Sequence, residues 1–205
     1  MRNSYNPIVG IAPEGWVVML AVGLGGWGML WAGCWIAAWG LFALELPLLL
    51  FFLDRARDIQ ARPRGVLAPV DGRIVYRREA HDPYLDREAV RIGIRVSFWG
   101  AYSLRAPKEG EVDVVDDSRH RASIIRTDEG EGFVIQVRRG SLLGALPIRV
   151  PAGERVGQGR RCGLRRLARE IDLYMPAGAR VEVPLGSRVK CGQTLIATIV
   201  RRNAE

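Results

Sequence analysis

Hydrophobic and polar positions divide the chain into an apolar N-terminal stretch and a longer part in which the two classes alternate. From Trp16 to Leu44 no residue is charged, and after Glu45 a second apolar run extends to Leu53. A helix that crosses a bilayer needs about 20 apolar residues, whereas the apolar core of a signal peptide needs only about 7–15. The pattern therefore predicts a helical membrane anchor in residues 1–53 and a separate domain in residues 54–205.

The anchor is either one long tilted helix or two shorter helices that fold back as a hairpin. Because Glu45 is costly in the middle of a membrane span, the hairpin or re-entrant form is favoured. A break is expected at one of the glycines at 23, 25, 26 and 28, or at Pro47. Five tryptophans, at positions 16, 27, 31, 35 and 39, suit the interface between water and lipid, and Trp16 is a predicted membrane contact.

Beyond residue 65 the chain consists of short strand patterns separated by proline and glycine turns. β-Branched residues or a period of two predict strands at 72–77, 89–98, 110–115, 132–138, 171–175, 180–183 and 194–200. One short helix is expected at 164–170. Related turns recur along the chain and indicate quasi-repeated hairpins. The fold prediction is a mainly β domain, a sandwich or a closed barrel, preceded by the helical anchor.

Charge separates the same two parts of the chain, which has a formal net charge of +8. Residues 1–53 contain one basic and two acidic residues, whereas the remainder contains 29 basic and 20 acidic ones. Four arginines follow the apolar stretch, Arg55, Arg57, Arg62 and Arg64, against only Arg2 before it. The positive-inside bias places the domain on the cytoplasmic side of the inner membrane, with these four arginines in contact with anionic phospholipid.

Several other classes of site are not indicated by the residues. Nucleic acid is not an expected partner, because no recognition motif occurs and few aromatic residues follow the anchor. The three cysteines, Cys34, Cys162 and Cys191, lie far apart, which fits a reducing compartment and predicts no metal site. No phosphate-binding loop, dinucleotide fingerprint, hydrolase elbow or zinc-protease motif occurs. The residues alone indicate a membrane-anchored basic β domain.

The order of short motifs resembles that of the short phosphatidylserine decarboxylases of proteobacteria and archaea. "NPIVGIAPEGW" (6–16) resembles P-I-x-x-x-E-G-W, "FFLDRAR" (51–57) is similar to F-F-R-D-P-x-R, and "LAPVDGRIV" (67–75) resembles S-P-A-D-G-x-I-V. "YSLRAPKEGEV" (102–112) is similar to H-x-N-R-x-P-x-x-G-x-V, and "GSRVKCGQTLIA" (186–197) resembles the closing turn. Each motif is weak alone, but their common order and spacing cover nearly the whole chain.

The resemblance implies a β-rich fold, a site at the membrane surface and a pyruvoyl cofactor that the chain makes from its own serine. In the family, the serine of F-G-S-R or L-G-S-T attacks the preceding carbonyl, the resulting ester eliminates, and hydrolysis with release of ammonia turns the former serine into a pyruvoyl group. That group forms a Schiff base with the lipid amine and acts as the electron sink for loss of CO₂. The aspartate of the D-G turn, here Asp71, and the histidine of H-x-N-R assist.

Two reactive positions of the family differ in this chain. The histidine position is Tyr102, whose phenol ordinarily has a pKa near 10 and is a poor base at neutral pH. The family's F-G-S-R-V-D-x-Y-L-P aligns without gaps on residues 167–176, so Arg169 stands at the serine position and Ala168 at the glycine before it. An arginine side chain can form neither the ester nor the pyruvoyl group.

These departures lead to a first hypothesis and two rivals. The first is a decarboxylase-like protein without a cofactor, which acts as a lipid-surface binding or assembly subunit. The second is an active, pyruvoyl-dependent phosphatidylserine decarboxylase that cleaves itself at a non-standard serine, Ser187 or, less favoured, Ser141. The third is an integral subunit of a larger complex of membrane proteins.

Overall fold

The computed structural model describes residues 10–54, 57–116, 121–139, 150–165 and 168–200. The described helices are Pro13–Trp31 (α1) and Trp35–Phe52 (α2). The described strands are Gly10–Ile11 (β1), Leu53–Asp54 (β2), Gly65–Leu67 (β3), Gly72–Asp82 (β4), Arg87–Val96 (β5), Ser103–Arg105 (β6), Gly110–Asp116 (β7), Arg121–Arg126 (β8), Gly132–Arg139 (β9), Arg155–Val156 (β10), Arg161–Leu164 (β11), Glu170–Pro176 (β12), Ala179–Val181 (β13), Arg188–Val189 (β14) and Leu195–Ile199 (β15). The chain divides into two compact units, residues 1–56 and 57–205.

The N-terminal unit is a helical hairpin. Helix α1 packs along α2, and the open end is closed by antiparallel pairing of β1 with β2. The helices are joined at residues 32–34, where Gly33 has a φ of 75°, a left-handed conformation that favours glycine. Of the two forms considered for the anchor, the structure therefore has the hairpin.

The predicted break points within the hairpin are wrong, and packing gives the reason. The glycines at 23, 25, 26 and 28 all lie inside α1, and a Cβ added at Gly26 would lie 2.8 Å from the Phe42 ring. The small residue thus allows the two helices to approach closely instead of ending the first one. Pro47 lies inside α2, which continues to Phe52.

Large apolar side chains of the hairpin face outward. Trp16, Trp31 and Ile36 are 54%, 87% and 92% exposed. Within the described part of the chain, α2 is long and apolar enough to cross a membrane, while the apolar stretch of α1 is shorter. At about 1.5 Å per residue, the 18 residues of α2 match the hydrocarbon thickness of a bilayer, about 30 Å.

The second unit is built from antiparallel sheets. Its largest sheet has eight strands in the order β10-β7-β8-β9-β12-β5-β4-β14, beside a pair β11-β6 and a three-stranded sheet β13-β15-β3. The predicted mainly β fold is confirmed, with a sandwich-like arrangement in which the eight described strands form an open sheet and not a closed barrel. Each of the seven predicted strands is present, with somewhat different bounds.

The short helix predicted at 164–170 is wrong. β11 ends at Leu164 and β12 begins at Glu170, and the described residues between them are not helical. The amide of Ala168 donates to the carbonyl of Arg165 at 2.8 Å, and the carbonyl of Arg169 accepts from the amide of Val96 at 2.9 Å. Pairing with the end of β5 therefore outweighs the helix preference of the basic run.

The two faces of the large sheet have different environments. Along β12, Ile171, Leu173 and Met175 belong to the main apolar core, while Tyr174 packs in a smaller cluster on the other face. This alternation follows the period of two of a strand. Asp172 shares the second face with Tyr174 and is completely buried.

Asp172 connects three strands on that second face. Its carboxylate accepts hydrogen bonds from the Tyr76 hydroxyl on β4 and from the Arg91 guanidinium on β5, the latter with Nε at 3.0 Å. The guanidinium carbons of Arg78 and Arg138 lie 4.6 and 5.4 Å from the Tyr76 ring centre. Burial and the bond to Asp172 raise the pKa of Tyr76 to about 12, so its hydroxyl remains a donor at neutral pH.

We expect Asp172→Asn to lower the free energy of unfolding by about 3 kcal/mol, because it leaves the Arg91 cation without its buried partner. Urea titration of the full-length protein in a mild detergent measures this change. Asp113→Asn is the matched control, since Asp113 pairs with Arg126 at 3.7 Å and both side chains are about half exposed. The control should cost at most about 1 kcal/mol, and equal losses for the two variants would contradict the prediction.

Candidate functional site

Asp71 lies at the centre of a dense hydrogen-bond network in the turn before β4. The Arg57 guanidinium donates two bonds to its carboxylate, from Nη1 to Oδ1 and from Nη2 to Oδ2, both at 2.6 Å. The amide of Ala101 donates to Oδ2 at 2.6 Å, and the amide of Cys191 donates to Oδ1 at 2.7 Å. One buried carboxylate thus connects four distant segments of the second unit.

The network keeps Asp71 ionised. Burial alone would raise the pKa of Asp71, but the hydrogen bonds from Arg57, Ala101 and Cys191 outweigh it and hold the pKa below its ordinary value. A bidentate guanidinium–carboxylate pair is among the strongest charge-assisted hydrogen-bond geometries in proteins. Asp71 is therefore a hydrogen-bond acceptor at neutral pH and has no proton to give.

A second cation, Arg165, is buried beside the loop that follows β5. Its Nη1 donates to the carbonyl of Ser97 at 2.6 Å, and its Nη2 donates to those of Phe98 and Gly100 at 2.5 and 3.2 Å. The guanidinium carbon lies 5.9 Å from the centre of the Tyr102 ring. Burial lowers the pKa of Arg165, yet a guanidinium stays charged at neutral pH.

The same loop brings together the positions that the sequence singled out. The amide of Ser97 donates to the carbonyl of Asp71, and the preceding amide, that of Val96, donates to the carbonyl of Arg169, both at 2.9 Å. Tyr102 is buried, directly after Ala101, which binds Asp71. Residues 96–102 therefore place Asp71, Tyr102 and Arg169 around one site.

Known proteins of similar sequence identify the family. No model of a known protein family matches the chain. A phosphatidylserine decarboxylase proenzyme of Nitrosomonas eutropha is 34% identical over 220 residues, which cover 96% of this chain and 99% of that protein. Proteins of the same name from Burkholderia pseudomallei and Burkholderia vietnamiensis are 31% and 30% identical over 221 residues, covering 96% of this chain and 98% and 99% of theirs.

The chain belongs to the phosphatidylserine decarboxylase family. The prediction from motif order is thereby confirmed, and the shared length covers both structural units. Asp71, which the motif comparison matches to the family's D-G turn, lies between Arg57 and the loop 96–102 in this chain.

The residues at the position where the motif comparison would place the family's pyruvoyl group do not fit that group. Residue 169 is an arginine whose side chain is exposed, and the buried residue before it is Ala168. Neither residue carries a hydroxyl that could become a ketone. The backbone of this position is kept in place by Val96, but the atoms needed to make the group are missing from the side chain.

Ser187, the alternative cleavage position, lies in a tight turn directly before β14. Its Oγ donates to the carbonyl of Pro184 at 2.7 Å. The amide of Gly186 donates to the carbonyl of Ile74 at 2.9 Å, and the amide of Ile74 donates to the carbonyl of Ser187 at 3.1 Å. The peptide bond between Gly186 and Ser187 is thus held on both sides by β4. Ser141 lies outside the described residues.

The four arginines after the anchor have different surroundings. Arg57 is bound to Asp71, with its side chain only 17% exposed, while Arg62 and Arg64 are exposed. Arg55 lies outside the described residues. Trp16, in the other unit, is exposed. In the described ranges no group of three or more histidine, cysteine or acidic side chains is placed to hold a metal ion.

Sequence reasoning missed the partners of Asp71 and the role of Arg165. The last arginine of the family's F-F-R-D-P-x-R motif falls on Arg57, so the resemblance held a signal that this arginine differs from its basic neighbours. Arg165 gave no such signal, because it lies in a run of basic residues that looks solvated. Only the fold shows that its guanidinium is buried.

We expect Arg57→Gln to lower the midpoint of thermal unfolding by roughly 6–12 °C at pH 7, since it leaves the buried Asp71 carboxylate without its cation, at a cost of about 3 kcal/mol. The folded-state pKa of Asp71 lies below its unfolded value, so the stabilisation is present above a pH of about 3.9 and is lost as the pH falls. The difference from wild type should therefore narrow on acidification. Thermal scans of the detergent-solubilised protein between neutral and acidic pH measure it.

Arg155→Gln is the control for that series. Arg155 is hydrogen-bonded to Asp128, and both side chains are mostly exposed, at 62% and 71%. An exposed pair contributes at most about 1 kcal/mol, so the control should shift the midpoint only slightly. A pH-independent effect of Arg57→Gln would show that the carboxylate charge of Asp71 does not carry the stabilisation.

Proposed function

We propose that this member of the phosphatidylserine decarboxylase family is decarboxylase-dead and acts as a lipid-surface binding and assembly subunit. The single observation that carries the proposal is that Arg169 occupies the position that the motif comparison gives to the pyruvoyl-forming serine. Its carbonyl accepts a hydrogen bond from the Val96 amide at the end of β5. A chain that lacks this hydroxyl makes no ester there and remains one polypeptide. No cofactor is then present.

The second reactive position supports the same proposal. Tyr102 replaces the family's histidine, is buried and has a guanidinium near its ring. A phenol has an ordinary pKa of about 10, so it is protonated at neutral pH and is a poorer base than the imidazole that it replaces. The Asp71 carboxylate already accepts four hydrogen bonds from the protein. This supports a structural role for Asp71 in this chain.

The apolar hairpin supports a place at the membrane. It presents exposed tryptophans and a helix, α2, of membrane-crossing length and composition. We propose the inner membrane, with the second unit on the cytoplasmic side, because the two ends of a hairpin share one side and carry the arginines, whereas the turn at residues 32–34 has no charge. The partners are anionic phospholipid and other membrane proteins.

The alternative function is an active decarboxylase that is processed at Ser187. The observation in its favour is the sequence Gly186–Ser187–Arg188, which has the glycine, serine and arginine of the family's cleavage motif. Against it stand the bond of the Ser187 hydroxyl to Pro184 and the pairing of both flanking residues with Ile74.

We expect intact mass spectrometry of the purified protein to show one chain near 22.8 kDa and a decarboxylation assay with phosphatidylserine to release no CO₂. The Nitrosomonas eutropha relative, prepared and assayed in parallel, is the positive control. Two chains with a pyruvoyl terminus would refute the proposal. Cleavage and CO₂ release that both vanish in Ser187→Ala would establish the alternative.

The assembly role has its own readout. We expect the wild-type protein to co-purify with defined membrane-protein partners in mild detergent, in constant proportion across preparations. Isolation as a lipid-bound single chain would contradict the assembly part and leave lipid binding as the function.

A further inference from the structure

Three exposed arginines form a row across one end of the large sheet. Arg188 on β14 is the register partner of Arg73 on β4, and Arg73 is the register partner of Arg95 on β5. Directly opposed residues of neighbouring antiparallel strands point to the same face. All three are exposed, so the row presents three guanidinium groups to one side of the sheet.

This arrangement is unfavourable without an anion. Like charges directly opposite each other destabilise a sheet, and the row contains two such pairs in succession. Arg95 has a distant contact with Glu170, at 3.8 Å. Within the described ranges, Arg73 and Arg188 form no ion pair with an acidic residue. The row therefore fits a surface that offers several negative groups at once.

An exposed aromatic pair lies at the same end of the sheet. β5 ends at Val96, and Phe98 and Trp99 follow, 58% and 64% exposed. Their rings are 5.1 Å apart between centres and perpendicular. Arg165 holds the carbonyls of this loop from within, so the loop presents its two large rings from a fixed backbone.

We propose that the row Arg73–Arg95–Arg188 and the pair Phe98–Trp99 together form a docking surface for an anionic phospholipid bilayer. One guanidinium group can donate two parallel hydrogen bonds to two oxygens of the same phosphate. Tryptophan prefers the boundary between lipid headgroups and acyl chains. The combination favours lipid over nucleic acid, for which base stacking on a longer aromatic platform is typical. The inference rests on the lipid-binding part of the proposed function and is independent of the loss of cleavage.

A fluorescent label in the loop tests this docking in the full chain. Ser97→Cys places an environment-sensitive label on an exposed residue, in a background in which Cys34→Ser removes the exposed thiol, while Cys162 and Cys191 are buried. The protein is reconstituted in nanodiscs of phosphatidylcholine with or without phosphatidylglycerol. We expect a blue-shifted emission only in the anionic discs, and its loss at molar salt.

Matched triple variants assign the effect to the row. Arg73→Gln/Arg95→Gln/Arg188→Gln should lower the ratio of docked to undocked protein on the order of a hundredfold, since each arginine contributes about fivefold at an anionic surface. Arg126→Gln/Arg155→Gln/Arg180→Gln removes the same charge elsewhere, with Arg126 at the opposite end of the sheet, and should change it little. Trp99→Ala should weaken docking in both low and moderate salt. Unchanged thermal unfolding shows that each variant is folded.

Three outcomes overturn the inference. The first is an emission wavelength that is the same with and without phosphatidylglycerol, and the second is an equal loss of docking in the two triple variants. The third is an emission shift on adding inorganic phosphate to phosphatidylcholine discs that is as large as the shift with the anionic lipid. A gel shift of duplex DNA that the row variant abolishes, without any lipid response, would assign the row to nucleic acid. Detection of a self-cleaved chain by mass spectrometry would contradict only the proposed loss of decarboxylase activity. The proposed function and the docking surface can therefore fail independently of each other.

Discussion

The bidentate pair between Arg57 and Asp71 is the interaction on which the site of the second unit depends. It buries a full negative charge, and two backbone amides, from Ala101 and Cys191, complete its coordination. A buried ion pair is tolerable only when its remaining hydrogen-bonding capacity is satisfied. Because the donors come from three other segments of the chain, the carboxylate fixes where the loop 96–102 and the turn at 191 must lie.

The backbone at residues 102 and 169 is held in place independently of their side chains. The contacts that hold Arg169 and Tyr102 in place are backbone hydrogen bonds, from Val96 to the carbonyl of residue 169 and from the Arg165 amide to the carbonyl of residue 102. Residues 102 and 169 accept these bonds through their backbone carbonyls, a group that every amino acid has. A different side chain at residue 169 would therefore leave the strand register intact.

Periodicity predicted the strands well because it records which side chains face the core, as along Ile171, Leu173 and Met175. It failed at residues 164–170, where a basic run predicts a helix. There the amide of Val96 donates to the carbonyl of Arg169, and a contact between residues so far apart in sequence leaves no local pattern. The candidate site residues were predicted from motif order, whereas the partner of Asp71 required the fold. The hairpin turn was misplaced because a glycine in an apolar helix serves close packing as readily as a break.

Arginine composition shows why net charge is a poor guide to function in this chain. Only Lys108 and Lys190 are lysines, yet the arginines do not form one basic surface. Arg57 neutralises a buried carboxylate and Arg165 binds backbone carbonyls, so neither charge is offered to an external anion. The charge that can act on a membrane is therefore that of exposed arginines, and its geometry is set by strand register rather than by the total of +8.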